Sequence, residues 1–459
     1  MRKMALGAAL LLVAGKALAQ DVAGIDIPYQ KFVLKNGLTL IVHEDRKAPI
    51  VAVNVWYHVG SKNEKPGRTG LAHLFEHLMF EGSRHHDKGY FQPLQEAGGT
   101  LNGSTNADRT NYWEVVPTNA LELALWMESD RMGYLLPALT EAKFQNQRDV
   151  VLNERRQNYE NRPYGLAGMS LVASLYAPEH PYHWLTIGAA EDLRAATLDD
   201  ARQFFQTYYR PRNASLALAG DVDTEHAVAL ATRYFGELEA GDDPPPVECP
   251  PPGSLNREIR LVLEDRVELP RLYLAWHSPS LFHAGDAELD LVADILAGGK
   301  TSRLYRRLVY EQRLATEVAA SHNSREIGSF FQLVATAAPD GTLAELGRAI
   351  VEELQGFCDH GPTAVEMERS VAQAEAHFVF RLQTVGGFGG KGDQLNAYNV
   401  FLDDPAYFDK DLERYRSARP ESLRENAVRW LTPGRVVLSV VQRGRVDLAV
   451  LQSQPVSVS

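Results

Sequence analysis

The stretch His73-Leu74-Phe75-Glu76-His77 decides how the rest of this chain is read. Two imidazoles stand four residues apart with a carboxylate between them. On an α-helix, positions i and i+4 lie on one face, so His73 and His77 are spaced to grip one metal ion, and Glu76 borders the same face. Two neutral nitrogens and a nearby carboxylate suit zinc, with a position left for water. The flanks are apolar: Gly70-Leu71-Ala72 leads in, Leu78-Met79-Phe80 follows, and Gly82 offers a stop. The spacing therefore predicts a helix over Leu71–Phe80. Unpaired charge is costly to bury, so two histidines and a glutamate in such a segment need a purpose. The bland alternative is a pair of surface histidines on an amphipathic helix, which the apolar surroundings disfavour.

A tetrahedral zinc site needs a third protein ligand. Glu154 is the candidate, in a segment from Phe144 to Arg156 that reads as a helix. Gln147, Val151 and Glu154 fall at i, i+4 and i+7 and share a face, and the apolar Val151 turns that face inward. Spacing alone leaves both a ligand and an ordinary surface glutamate open.

The order H-x-x-E-H is the inverzincin pattern, and the chain resembles the M16 (pitrilysin) metallopeptidase family. The likeness runs over nearly the whole mature chain and is densest from Phe32 to Gly220. It rests on Leu34-Lys-Asn-Gly-Leu-Thr-Leu40, on the metal motif with its Gly70-Leu-Ala lead-in, and on Gly98-Gly-Thr-Leu-Asn102. It continues through Asp108-Arg-Thr-Asn-Tyr112, His180-Pro-Tyr182, Tyr208-Tyr-Arg-Pro-Arg-Asn213 and Ala219-Gly-Asp-Val222. The resemblance implies that His73, His77 and Glu154 bind one Zn²⁺ per chain, since the family's third ligand follows the second histidine at the spacing Glu154 has here. It implies that Glu76 is the general base, taking the proton of water and passing it to the leaving amine. It also implies that Asn102, Gly103, Ser104 and Thr105 lie on an edge strand beside the zinc, where an extended peptide could add as a further strand. A plain surface strand is the alternative there.

Two departures from the family pattern matter. Gln147 stands where a second glutamate is usual, so it can hydrogen-bond near the metal but brings no charge. In self-sufficient members the C-terminal half carries an Arg and, seven residues on, a Tyr that hold substrate. In that register this chain has Val309 and Thr316. Arg306, Arg307 and Tyr310 are near but out of register, and read as a solvated helix face. Half-length members such as the catalytic subunit of the mitochondrial processing peptidase pair with a second chain. The expectation is therefore a heterodimer with an M16-like subunit carrying the Arg/Tyr pair, a homodimer being the other option.

Arg2 and Lys3 lead into an apolar run from Met4 to Gly15, and Ala17-Leu-Ala19 precedes Gln20. That is a signal peptide over residues 1–19 with an A-x-A cleavage site, too short to span a bilayer. The expectation is a periplasmic or secreted protein without membrane insertion. Removing the leader takes away Arg2, Lys3 and Lys16 and no acids, which moves the net charge from −12 to −15. Such acidity argues against nucleic acid as a partner. Export permits a disulfide, but Cys249 and Cys358 alone make no framework, and whether they pair is open.

The chain divides into residues 27–237, a catalytic zinc-binding half, and 257–447, a second half of the same kind. A Pro-rich linker at 238–256 joins them, and a frayed tail at 448–459 ends the chain. Each half opens with two strand regions (Phe32–Val42 and Val51–Val59; Arg260–Leu263 and Arg271–His277). Each follows with a helix (Leu71–Phe80; Glu288–Leu296) and closes with a strand (Ser215–Ala219; Arg435–Val441). Asn36-Gly37 marks a hairpin, and long helices are expected over Ala120–Leu136 and Glu366–Leu382. The fold class is α+β; the resemblance implies two homologous α/β-sandwich domains of the LuxS/M16-like kind. Gly387-Phe-Gly-Gly-Lys-Gly392 fits a dinucleotide fingerprint but follows a helical run, so its context reads as a loop between helices. His85-His86 reads as an exposed loop, and His180 and Tyr182 as shaping a turn. The activity expected is zinc-dependent endopeptidase cleavage of extended peptides or small unfolded proteins. The rival reading is a non-catalytic zinc-bearing assembly subunit, against which the intact Glu76 argues.

Overall fold

The computed structural model describes residues 26–249 and 255–456. The signal-peptide expectation lies outside the described residues, as does part of the linker. Residues 239–249 form neither helix nor strand.

Six strands build the first sheet: β1 (Gln30–Val33), β2 (Thr39–Glu44), β3 (Ile50–Tyr57), β4 (Thr100–Thr105), β5 (Thr110–Pro117) and β6 (Ala214–Gly220). Their spatial order is β1-β2-β6-β3-β5-β4. Six more build the second: β7 (Ile259–Asp265), β8 (Arg271–Ser278), β9 (Ala315–Asn323), β10 (Ser329–Ala337), β11 (Val436–Gln442) and β12 (Gln454–Pro455). Their order is β12-β7-β11-β8-β10-β9. The halves repeat one topology. β2 and β6 run parallel as β7 and β11 do, and each half's last-formed long strand sits between its first two long ones. The Asn36-Gly37 turn joins β1 to β2 with Gly37 at φ +87°, the conformation such a turn demands. The sequence reading missed β9 and β10: β9 carries polar residues at the exposed Thr316, Glu317 and Ser321, and Gln332 interrupts the apolar run of β10.

On one face of the first sheet lie helices α1 (Leu71–Leu78), α2 (Leu121–Tyr134) and α3 (Glu141–Arg155). Leu40, Val42, Val53, Val55 and Tyr57 of the strands pack there against Leu74, Phe75, Leu125 and Phe144. The opposite face of each sheet is covered by a helix of the other half. Helix α4 (Ala167–Leu175) sets Leu171, Val172 and Leu175 against Leu263, Tyr273 and Val440 of the second sheet. Among the second-half helices, α5 (Asp286–Ala297) and α6 (Ala364–Arg381) flank the second sheet's own core. Helix α7 (Lys391–Leu402) crosses instead to the first sheet, where Leu395 and Tyr398 meet Ile41 and Ala217. Two features make that crossing close. β6 presents small residues (Ala217, Ala219), and Gly386, just before the helix, lies where a Cβ would come within 2.6 Å of Ala52. The two units expected at 27–237 and 257–447 are therefore each completed by a segment from the other.

The expectation of a frayed tail is corrected over 448–456. Leu448, Ala449 and Val450 pack on the second core, and β12 pairs in parallel with β7. The Val450 amide donates to Ser439 Oγ at 3.2 Å. Apolar residues spaced too closely for a recognisable strand found partners only in three dimensions.

Candidate metal centre

Helix α1 starts at Gly70, which stands at φ +89° and supplies no side-chain cap. The acceptor comes from Glu64 instead. Its carboxylate takes the Gly70 amide at 3.0 Å, the Ala72 amide at 2.7 Å and the Trp184 indole at 3.0 Å. The buried side of α1 holds Leu71, Ala72, Leu74, Phe75 and Leu78, and this fixes the direction in which His73 and His77 face. Helix α3 runs alongside, its Val151 buried as its periodicity predicts.

His73, His77 and Glu154 converge: one donor atom from each lies within 4.8 Å of the others, the sole such group of His, Cys, Asp and Glu among the described residues. Glu154 Oε2 is 3.7 Å from His73 Nε2 and 3.5 Å from His77 Nε2. Burial, with His77 beside it, pushes His73 down to about 4, so it stands as a neutral imidazole, the form that ligates metal. Burial also acts on His77, but its hydrogen bond to Glu154 and the charges of Glu76 and Glu154 outweigh it and raise its pKa. The His77 hydrogen bond holds the Glu154 carboxyl below its usual value. Two imidazoles and a carboxylate at this separation, one imidazole kept neutral, fit the donor set of a zinc ion.

Glu76 is largely buried, which raises its pKa. A hydrogen bond with the Thr105 hydroxyl and the charges of His77 and Arg109 pull partly the other way. Thr105 ends β4, one of the two edge strands of the first sheet. Gly103 of that strand lies against the ring of Phe80, which continues from α1. Asn102 and Ser104 point to the other face of the strand, where Ser104 Oγ donates to Asn111. The four residues singled out as a docking strand thus occupy an open edge, joined to α1 through Thr105 and Glu76. Gln147 hydrogen-bonds with both Glu81 and His77.

Other sequence candidates fall elsewhere. His85 binds Asp130 rather than a metal cluster. Tyr182 does more than shape a turn: its hydroxyl bonds Asp108 and accepts the Ile327 amide, so it joins the halves. Lys62 and His58 meet Glu326 at the same junction. Cys358 is a free thiol within the second core, and Cys249 lies near His180. Arg306 pairs with Glu311, and Arg307 with Glu352 and Glu353, while Tyr310 is exposed. Sequence reading missed Glu64; its signal was a helix opening on glycine with no Ser, Thr, Asp or Asn to cap it.

The family model for M16 peptidases (insulinase) matches residues 39–179, and that for the M16 inactive domain matches residues 195–374. The chain belongs to the M16 peptidase family. Zinc protease PqqE of Helicobacter pylori is 31% identical over 367 residues, spanning 79% of this chain and 82% of the relative. A crystal structure of a protease from the same organism superposes with a TM-score of 0.83 at 26% identity, covering 91% of this chain and all of that one. The periplasmic protease PqqL of Escherichia coli shares the fold at 18% identity and a TM-score of 0.73, with this chain covering 91% of its own length and 48% of PqqL.

Proposed function

We propose that this chain is a zinc-dependent endopeptidase subunit acting on extended peptides or small unfolded proteins. The observation that carries the reading is the convergence of His73, His77 and Glu154 next to Glu76, itself tied to the open edge strand β4. The names of its relatives as zinc proteases support the metal. When bound, zinc supplies Lewis acidity, which acidifies water and polarises a carbonyl. The chain's own residues do the rest. Strand β4, at the edge of its sheet, offers the side that has no strand neighbour to an extended peptide over Asn102–Thr105. Glu76, its basicity enhanced by burial, accepts the proton of the attacking water and returns it to the departing amine. Thr105 orients that carboxylate.

A second M16-like subunit completes the substrate site in this reading, because Val309 and Thr316 stand where an Arg and a Tyr would hold substrate. The twofold length of PqqL supports a two-unit assembly. The signal-peptide pattern supports export to the periplasm or beyond. The intact Glu76 favours catalysis over the rival reading as an assembly subunit. The test is cleavage of a quenched peptide pool by the zinc-loaded chain beside Glu76→Gln. The variant is expected to keep its zinc and lose at least ~100-fold in rate; an unchanged rate would remove Glu76 from its role.

A further inference from the structure

The glycine-rich segment Gly387–Gly392 that resembles a nucleotide fingerprint is followed by Asp393, in the first turn of α7. This carboxylate is buried against the outer face of the first sheet, although it belongs to the second half. Four donors surround it: Trp56 Nε1 at 2.8 Å, Asn111 Nδ2 at 2.9 Å, Asn54 Nδ2 at 3.3 Å and the Gly389 amide at 2.8 Å. The network does not stop there. Asn111 Oδ1 accepts from Ser104 Oγ at 2.7 Å. Arg109 Nη1 donates to the same hydroxyl at 2.7 Å and to the Ser104 carbonyl at 2.8 Å, with its guanidinium over the Trp56 ring at 5.1 Å. An unbroken chain of hydrogen bonds thus runs from the second half, through Asn111, to the middle of the edge strand.

We infer that Asp393 is a positioning residue for peptide substrate: through Asn111 it fixes Ser104 and with it the line of β4 on which an extended peptide is laid. An edge strand has ladder partners on one side only, so its free side is defined no better than what holds it from beneath. Strand addition needs several amides and carbonyls aligned at once. Hydrogen bonds to an ionised acceptor are about twice as strong as neutral ones, so a buried carboxylate with four donors is a stiff anchor. Asp393 touches no reacting group; it acts through Asn111 and Ser104. The inference rests on the proposed reading of β4 as the docking strand.

The test uses the zinc-loaded full chain carrying Glu76→Gln, so that peptide binds without turnover. Binding of a labelled dodecapeptide and of a labelled tripeptide amide is read by fluorescence anisotropy, with and without Asp393→Asn. The dodecapeptide, long enough to lie along β4, is expected to bind about tenfold more weakly in the variant, while tripeptide affinity and zinc content stay unchanged; the unfolding midpoint falls, because an amide cannot accept from all four donors. Equal weakening of both peptides, or of neither, would overturn the inference. Should Asp393→Asn fail to fold, Asn111→Ala breaks the chain at its middle link and carries the same expectation for the two peptides. Dodecapeptide binding that is absent before either change would remove the docking strand itself, an outcome distinct from binding that is present and insensitive to Asp393.

Discussion

Replacing Glu64 tests how helix α1, which carries His73 and His77, is held. Its side chain is 7% exposed and is the acceptor for Gly70, Ala72 and Trp184. Glu64→Ala leaves the buried Gly70 and Ala72 amides without a partner, while the Trp184 indole keeps the Ser61 carbonyl at 3.3 Å. An unsatisfied buried donor costs about 1–3 kcal/mol, and loss of a helix N-cap costs about 1 kcal/mol. The cap and the two amides are the same hydrogen bonds, and water entering the vacated space would repair part of the loss, so a net cost of about 2–4 kcal/mol is expected, a large share of the 5–15 kcal/mol typical of a domain. Urea unfolding at constant slope measures it, and competition with a chelator measures the accompanying loss of zinc affinity. A stability change below about 1 kcal/mol with unaltered zinc affinity would refute the capping role. Protonation adds a second signature. Burial pushes Glu64 up to about 8, with the hydrogen bonds from Ala72, Gly70 and Trp184 offsetting only part. The unfolded chain releases this proton near 4.5 and the folded one near 8, so the folded state binds the extra proton between those values. This contribution to stability therefore falls as pH rises from about 4.5 to about 8, and Glu64→Gln, which stays neutral, should abolish that slope.

Glu326 carries the opposite sign. Burial would raise its pKa, but the hydrogen bond to His58 and the charge of Lys62 prevail and bring it to about 2. The stability it supplies is complete above the ordinary carboxylate range and is lost as pH falls from about 4.5 towards 2; Glu326→Gln should flatten the acid limb of an unfolding-midpoint profile, and an unchanged limb would show that the junction does not depend on this charge. Truncation after Asp447 should cost about 2–4 kcal/mol, because Leu448 and Val450 leave the second core together with β12. A urea midpoint that does not move would restore the frayed tail.

Helix α1 was legible because its information is local: His73 and His77 share a face, their flanks are apolar, and Gly82 follows the run. Helix α3 was legible through Val151, which sits one turn from Glu154 and is buried. The Asn36-Gly37 turn was legible because few residues tolerate its backbone. What escaped depends on partners distant in sequence. Nothing near Glu64 announces that it caps a helix six residues on. Nothing near Asp393 announces that Asn54, Trp56 and Asn111 wait for it, and the glycines before it, read locally, gave only a loop between helices. Polar residues such as Asn54 inside an otherwise apolar strand were the available sign that a polar neighbour had to be supplied from elsewhere.

The exchange of helices between the halves sets an order on folding. The first sheet has all its strands once Gly220 has been made, yet Ile41 and Ala217 stay bare on their outer face until α7 arrives roughly 170 residues later. Helix α4 is made early and waits for β7, β8 and β11 before its own apolar side is covered. Neither half can finish alone, so the slow step is the mutual docking of two incomplete layers. A chain cut between 239 and 249 should give fragments that aggregate apart and fold together.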